Sequence, residues 1–188
     1  MQKKSQKKQE LIYSSNVLDI VKFGSSVLEN SKPNDIDIAV IFKSIPVKEQ
    51  LEEAQKIKRQ LEKFYTLPIH IKSYDFYSFF DKGNFAKENI LFYGESLIFQ
   101  DSFAERFGVN PKIQIYYSLK ELKKKDKIKF NYMLNGKKGE YGLLRKYQGS
   151  LLKPGLIQIN PKYENLFMES MKKIASNFEV KKVLIAIK

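Results

Sequence analysis

The stretch from residue 17 to residue 42 constrains the fold more than any other part of the chain. It contains two short apolar, β-branched runs, "VLDIVKFG" (17–24) and "DIDIAVIF" (35–42), separated by "SSVLENSKPN" (25–34). Runs of this length and composition predict two β-strands. The segment between them starts with helix-capping serines and ends with Pro-Asn, which predicts a short helix and a turn.

The apolar pattern after residue 42 switches between helical and strand spacing. Residues 46–65 begin with a proline and place apolar side chains three and four positions apart, which predicts a long helix. Residues 68–74 predict a third strand, 84–92 a helix, and 96–100 a fourth strand. The resulting order predicts an α+β fold, an α/β-type mixed sheet with flanking helices.

A change in charge density divides the chain near residues 106–112. Residues 1–108 contain 16 Lys and Arg against 15 Asp and Glu, whereas residues 109–188 contain 18 against 6. Almost all of the net charge of +13 therefore lies in the second part. We predict one domain over residues 1–108 and a small basic α+β module over residues 109–188.

The basic module is predicted to mix helices and strands. A winged-helix-like arrangement is one alternative for it. The predicted elements are helices over 115–134 and 139–147, a hairpin around Pro154 and Gly155, a helix near 161–177 and a strand over 180–187.

The basic module carries the pattern expected of an RNA-binding surface. A field of one sign attracts polyanions. The run Lys123, Lys124 and Lys125 and the pair Arg145 and Lys146 lie among aromatic residues, a pattern typical of surfaces that bind single-stranded nucleic acid. RNA, with tRNA as one possibility, is the predicted partner. A lysine-rich solvated surface is the alternative.

Composition and hydropathy exclude several classes of protein. The chain has no cysteine, which excludes disulfides and thiolate metal sites. Its longest apolar runs are too short to span a bilayer, and "MQKKSQKKQE" at the start is followed by no signal-type apolar core. We therefore expect a cytoplasmic protein without a membrane partner.

Two acidic residues interrupt the second predicted strand. Asp35 and Asp37 are two positions apart, so their side chains lie on one face, with Cα atoms about 6.6 Å apart. Carboxylates this close repel each other unless a cation lies between them, and Mg²⁺ or Mn²⁺ prefers such oxygen ligands. Upstream, Gly24, Ser25 and Ser26 offer close backbone approach, N–H groups and hydroxyls to a triphosphate.

A strand ending in Gly-Ser, about ten intervening residues and Asp-x-Asp opening the next strand together resemble the nucleotidyltransferase fold of the DNA polymerase beta superfamily. The similarity is greatest to the minimal nucleotidyltransferases and covers residues 17–100. It implies metal-dependent transfer of a nucleoside monophosphate from a nucleoside triphosphate, with ATP as first candidate, to an acceptor hydroxyl. It also implies that Asp35 and Asp37 are metal ligands and that Gly24 and Ser25 bind the nucleotide.

The chain departs from this family at the third metal-binding carboxylate. In the family it comes from the strand after the long helix, and the corresponding residue here is His70. His70 is either a metal ligand or a base that replaces the third acid, or an inert polar residue at the edge of a degenerate site. As a ligand, neutral imidazole suits Mn²⁺ or Zn²⁺ better than Mg²⁺. Asp75, five residues later, is another candidate for the third ligand. Lys22 and Lys32 flank the Gly-Ser segment and are candidates for additional phosphate contacts.

Two alternatives to RNA modification follow from these departures. One is an enzyme that transfers AMP to a protein hydroxyl, as antitoxin-type relatives do. The other is a catalytically impaired nucleotidyltransferase-fold protein that binds nucleic acid through its basic half, an interpretation that depends on His70.

Overall fold

The computed structural model describes residues 11–175 and 177–187, which form two four-stranded sheets. The sequence "MQKKSQKKQE" lies outside the described residues. The first sheet has the strand order β3-β2-β1-β4. Its strands are β1 (Val17–Phe23), β2 (Ile36–Phe42), β3 (Ile69–Asp75) and β4 (Glu95–Ser96). β2 pairs antiparallel with β1 and parallel with β3, so the predicted mixed sheet is confirmed.

Helix α1 (Val47–Leu61) makes the connection between the parallel strands β2 and β3. Its apolar stripe of Ala54, Ile57 and Leu61 is buried against one face of the sheet. The opposite face is covered by α2 (Phe76–Phe80), α3 (Lys87–Tyr93) and the 3-10 turn Phe103–Phe107. The predicted long helix, the helix near 84–92 and the first three strands are therefore confirmed.

Two predicted elements of the first half of the chain, which ends at residue 108, are shorter than expected. The short helix predicted within residues 25–34, before the turn at Pro33 and Asn34, is a single 3-10 turn, Gly24–Val27, because Leu28 is extended and ends it. The strand predicted over 96–100 is limited to β4, because the chain turns at once and Gln100 adopts a left-handed φ of 62°. Both errors come from tight turns whose backbone angles the apolar pattern does not reveal.

The second sheet is antiparallel throughout, with the order β6-β7-β5-β8. Its core is formed by Ile113, Ile115, Phe130, Phe167 and Met171, which brings the helices against one face of the sheet. This half is α+β as predicted, with the sheet rather than a winged-helix arrangement at its centre. Its elements are β5 (Val109–Tyr117), α4 (Lys124–Asn135), α5 (Leu143–Lys146), β6 (Ser150–Lys153), β7 (Leu156–Ile159), the 3-10 turn Pro161–Tyr163, α6 (Glu164–Lys172) and β8 (Phe178–Ala186).

The helix predicted from residue 115 is wrong at its start, because residues 115–117 belong to β5 and α4 begins only at Lys124. β5 alternates buried and part-exposed residues and has a partner strand on each side, and this tertiary pairing overrides the local helical spacing. The hairpin and the closing strand are confirmed. The helix predicted near 161–177 ends earlier, at Lys172, and residue 176 lies outside the described residues.

Hydrogen bonds link the two halves of the chain. The backbone N–H of Ile187 donates to the Gly108 carbonyl (2.8 Å), and the Lys182 ammonium lies 2.7 Å from the Glu88 carboxylate. Direct contacts therefore connect residues on the two sides of the predicted boundary near residue 108. The division into two domains stays a prediction. In the described part of the chain, no helix combines the length and the hydropathy that crossing a membrane requires.

Strand β1 buries one carboxylate. Asp19 is 2% exposed, and its Oδ1 accepts hydrogen bonds from the Ser96 hydroxyl and the Ile20 N–H, both at 2.7 Å. Its Oδ2 has no hydrogen-bond partner among the described residues. Burial, opposed by these hydrogen bonds, raises the pKa of Asp19 to about 6.

Candidate active site

Asp35, Asp37 and His70 meet where β2 and β3 begin. β2 and β3 run parallel in a register that places Asp37 opposite His70, and Asp35 immediately precedes β2. One ligand atom from each of the three residues lies within 4.8 Å of the others. The structure therefore brings together the two predicted metal-binding carboxylates and the histidine predicted to stand in the third position.

The histidine is the most accessible member of the group. Its Nδ1 lies 3.1 Å from Asp35 Oδ2, and its side chain is 62% exposed against 33% for Asp35. A protonated imidazole at this distance forms an ion pair, whereas a neutral imidazole offers a lone pair to a cation. His70 can therefore neutralise Asp35 or join it as a ligand.

The ionised form of Asp37 is electrostatically unfavourable in this group. Burial and then the neighbouring Asp35 carboxylate raise the pKa of Asp37, while Lys72 and then His70 act in the opposite direction. A bound divalent cation relieves both unfavourable effects, because it replaces lost hydration and screens the repulsion. The two carboxylates and the imidazole thus fit a divalent cation.

Gly24 and its turn lie against this group. Gly24 has a φ of +75°, and a Cβ at this position would lie 2.5 Å from Asp37 Oδ2. A side chain there is excluded both by conformation and by space. The 3-10 turn that starts at Gly24 exposes Ser25, and the Ser26 hydroxyl donates to the Phe23 carbonyl (3.2 Å). The first N–H groups of such a turn have no partner within it, which suits an anion.

The loop after the turn folds back onto it. The Ser31 hydroxyl is within hydrogen-bonding distance of the Ser25 carbonyl and of the Leu28 carbonyl, the latter at 2.8 Å. Asn30, just before it, is left-handed with a φ of 66°. The sequence prediction did not include these two residues, because their role depends on backbone geometry.

Asp75 lies away from the Asp35, Asp37 and His70 group. It pairs with Phe42 at the far end of β2 and caps α2, where its side chain accepts a hydrogen bond from the Ser78 N–H (2.7 Å). This hydrogen bond holds the pKa of Asp75 below its usual value. The structure thus gives Asp75 a capping contact and does not bring it into the group as a third ligand.

Two lysines near the group have different surroundings. Lys72 is two positions after His70 on the same face of β3, and its charge opposes the rise in the pKa of Asp37. The alternation of β3 is the sequence signal that identifies Lys72 as a neighbour of the site. Lys22 instead points to Glu95, with 3.5 Å between the charged atoms, so the structure places it in another contact.

The predicted nucleic-acid-binding cations are all exposed and lie on neighbouring helices. Lys123 is the N-cap residue of α4, which Lys124 and Lys125 begin, and Arg145 and Lys146 lie in the last turn of α5. The Arg145 guanidinium lies 4.1 Å from the centroid of the Tyr141 ring. Lys146 lies 5.3 Å from the centroid of the Tyr147 ring.

Comparison with protein families decides the class of this fold. The family model described as a nucleotidyltransferase domain matches residues 4–97, half of the chain, and this range includes Gly24, Asp35, Asp37 and His70. The chain belongs to the nucleotidyltransferase domain family. No curated protein and no solved structure matches it. The resemblance to the polymerase beta-type nucleotidyltransferases is thereby confirmed, and the matched domain contains the first sheet.

Proposed function

We propose that this nucleotidyltransferase moves a nucleoside monophosphate from a nucleoside triphosphate, with ATP as first candidate, to a hydroxyl group of RNA. The observation that carries the proposal is the meeting of Asp35, Asp37 and His70 beside the Gly24 turn in a member of the nucleotidyltransferase domain family. The reaction joins a phosphate-binding turn to an acidic metal site, and the two are in contact here.

Each residue of the group has a role in this proposal. Asp35 and Asp37 hold divalent cations, Mg²⁺ or Mn²⁺, and His70 stands where the family has a third carboxylate. Such cations neutralise the charge of the triphosphate and make the acceptor hydroxyl more acidic. The raised pKa of Asp37 supports its role as a ligand, because a bound cation removes the cause of the shift.

The chemical step is a displacement at phosphorus. The acceptor oxygen forms a bond to the α-phosphorus, the bond between that phosphorus and the α–β bridging oxygen breaks, and pyrophosphate leaves with the electron pair. The Asp35, Asp37 and His70 group accepts the hydroxyl proton. Gly24, Ser25 and Ser26 hold the β- and γ-phosphates, and Lys72 adds positive charge on the same side.

RNA is the acceptor that the basic half favours. The exposed Lys123, Lys124 and Lys125 and the Arg145 and Lys146 pair supply phosphate contacts on adjoining helices. Tyr141 is 67% exposed beneath Arg145 and supplies a ring on which a base can stack. The excess of 18 cationic over 6 anionic side chains after residue 108 supports the same partner.

Transfer is tested with the full chain and each of the four α-³²P-labelled triphosphates, in Mg²⁺ or Mn²⁺, with total RNA and lysate protein. The proposal expects labelled RNA and no label with Asp37→Asn. Glu62→Gln, an exposed carboxylate at the end of α1, is the matched control and keeps activity. Labelled protein makes a protein hydroxyl the acceptor. Absent labelling together with absent triphosphate binding favours a non-catalytic binding protein.

The RNA-binding surface is tested by the salt dependence of binding. Replacing Lys123, Lys124 and Lys125 with Gln is expected to reduce the log–log salt slope by about 2 for single strands. Replacing the exposed Lys48, Lys56 and Lys63 of the first half with Gln removes the same charge elsewhere and is the matched control. Equal slopes for the two triple variants contradict the proposed surface.

A further inference from the structure

Helix α6 of the second half contacts the loop that follows the Gly24 turn. The Asn30 side-chain N–H₂ donates to Glu169 Oε2 (2.7 Å), and the backbone N–H of Glu29 donates to the Lys162 carbonyl (2.9 Å). Asn30 and Glu169 are 139 positions apart in the sequence. The loop therefore has one backbone anchor and one side-chain anchor on the second half.

The side-chain anchor acts at the point where the loop turns back. Asn30 is in the left-handed region, which an asparagine tolerates when its side chain is hydrogen-bonded. The next residue, Ser31, contacts the Ser25 and Leu28 carbonyls with its hydroxyl. Two hydrogen bonds, one from Asn30 to Glu169 and one from Ser31 to Ser25, are thus joined through the peptide bond between Asn30 and Ser31.

We propose that Glu169 is a positioning residue for the triphosphate-binding turn and acts through Asn30 and Ser31. The inference rests on the proposed function, because Ser25 and its neighbours bind the triphosphate there. Glu169 holds Asn30 in the conformation that directs the Ser31 hydroxyl at the turn. The N–H groups of the turn are thereby kept in one arrangement before the nucleotide arrives, which lowers the ordering cost of binding.

The location of Glu169 separates this role from a general contribution to packing. Glu169 is exposed, whereas Phe167 and Met171 of the same helix are buried in the core of the second half. Truncating Glu169 removes neither these core contacts nor the backbone bond from Glu29 to Lys162. The expected effect is therefore local to the loop.

Four variants of the full chain test the proposal. Glu169→Ala removes the anchor, Glu169→Gln keeps an oxygen that accepts from Asn30, and Asn30→Gly removes the donor while tolerating the positive φ. Glu140→Ala, another exposed glutamate of the second half, is the matched control. The measurements are KM and kcat for the labelled triphosphate and hydrogen exchange of the amides in residues 24–31.

Glu169→Ala is expected to raise KM about three- to tenfold while kcat stays within about twofold, the size of one ordinary intramolecular hydrogen bond at an exposed position. Exchange in residues 24–31 rises in parallel. Glu169→Gln restores most of the affinity. The double variant Glu169→Ala with Asn30→Gly is no worse than the worse single variant, because both remove the same interaction.

Distinct results overturn the inference and the proposed function. Wild-type KM and wild-type exchange in Glu169→Ala overturn the positioning role and leave the function standing. An equal effect of Glu140→Ala also overturns it, since the cause is then a general loss of stability or charge. Absent triphosphate binding by the wild-type chain overturns the proposed function and this inference with it.

Discussion

Gly24 packs its backbone directly against the carboxylate of Asp37, with no room for a β-carbon between them. A Cβ on Gly24 would lie 2.5 Å from Asp37 Oδ2. The pairing of β1 with β2 causes this contact, because Asp37 lies opposite Phe23, the residue before Gly24. The start of the proposed phosphate-binding turn and a proposed metal ligand thus occupy one contact.

Gly24→Ala is expected to displace the Asp37 carboxylate and to lower any transfer rate at least ~100-fold, as loss of a charge at a reaction centre does. The left-handed backbone adds a stability cost of about 1–2 kcal/mol. Transfer assays and urea unfolding measure the two effects. Gly83→Ala is the control, since a Cβ there meets nothing within 4 Å. Full activity in Gly24→Ala would show that the close contact has no functional role.

Asp37→Asn keeps the shape of the side chain and removes its charge. We expect a loss of at least ~100-fold in transfer, because the proposed cations lose a ligand. Since burial and Asp35 raise the pKa of Asp37, the variant is expected to be no less stable than the wild type in thermal unfolding without added metal. Equal transfer rates in the variant and the wild type would exclude the site.

His70→Asp is expected to increase transfer supported by Mg²⁺, because it restores a hard oxygen ligand beside Asp35 and Asp37. The wild type should work better with Mn²⁺, which suits imidazole. Rates in each metal measure the change in preference. Asp75→Asn is the control, and its effect should be limited to the cap of α2. If Asp75→Asn abolishes transfer while His70→Asp changes nothing, the third ligand is Asp75.

Asp19→Asn tests the buried carboxylate of β1. The pKa of Asp19 is about 6 in the folded chain against 3.8 for an unperturbed aspartate, so the folded state holds the proton more tightly. Folding stability from this group is therefore lost as pH rises from about 3.8 to 6, up to about 3 kcal/mol in total. The variant retains an oxygen for the Ser96 and Ile20 donors and does not titrate.

The variant should consequently gain stability relative to wild type between pH 4 and pH 7, measured by urea unfolding at each pH. Taking the difference removes the titration of other carboxylates, including Asp75, whose pKa is lowered and whose effect has the opposite sign. A difference in unfolding free energy that is constant from pH 4 to pH 7 would show that Asp19 stays ionised in the folded chain.

The elements with strong local signals could be predicted from the sequence. Three features carry a signal within a few residues of sequence. They are the start of a β-branched run at Asp35 and Asp37, the apolar spacing of α1 and the Pro-Gly hairpin. The position of His70 beside the two aspartates was implied by the resemblance to the nucleotidyltransferases, and the register of β3 with β2 places it there. The strands and the long helix of the first half carry such local signals, which is why that half was largely predictable.

Other features depend on contacts between distant residues. β5 was predicted in part as a helix because its strand character comes from β7 and β8, more than 30 residues later. The buried carboxylate of Asp19 depends on Ser96, 77 positions away. The link from Asn30 to Glu169 is longer still. No window of local sequence contains both members of such a pair.

The strand order of the second sheet also determines the order in time in which the two sheets can be completed on the ribosome. The first sheet needs only residues up to β4 at Glu95–Ser96, so all its strands exist early in synthesis. β5 emerges next, but its neighbours β7 and β8 are made later, and β8 extends to Ala186. Until β7 and β8 have been synthesised, Ile113 and Ile115 lack the residues that complete the hydrophobic core around them. The nascent chain at that stage carries a complete nucleotidyltransferase sheet joined to an unfinished basic half.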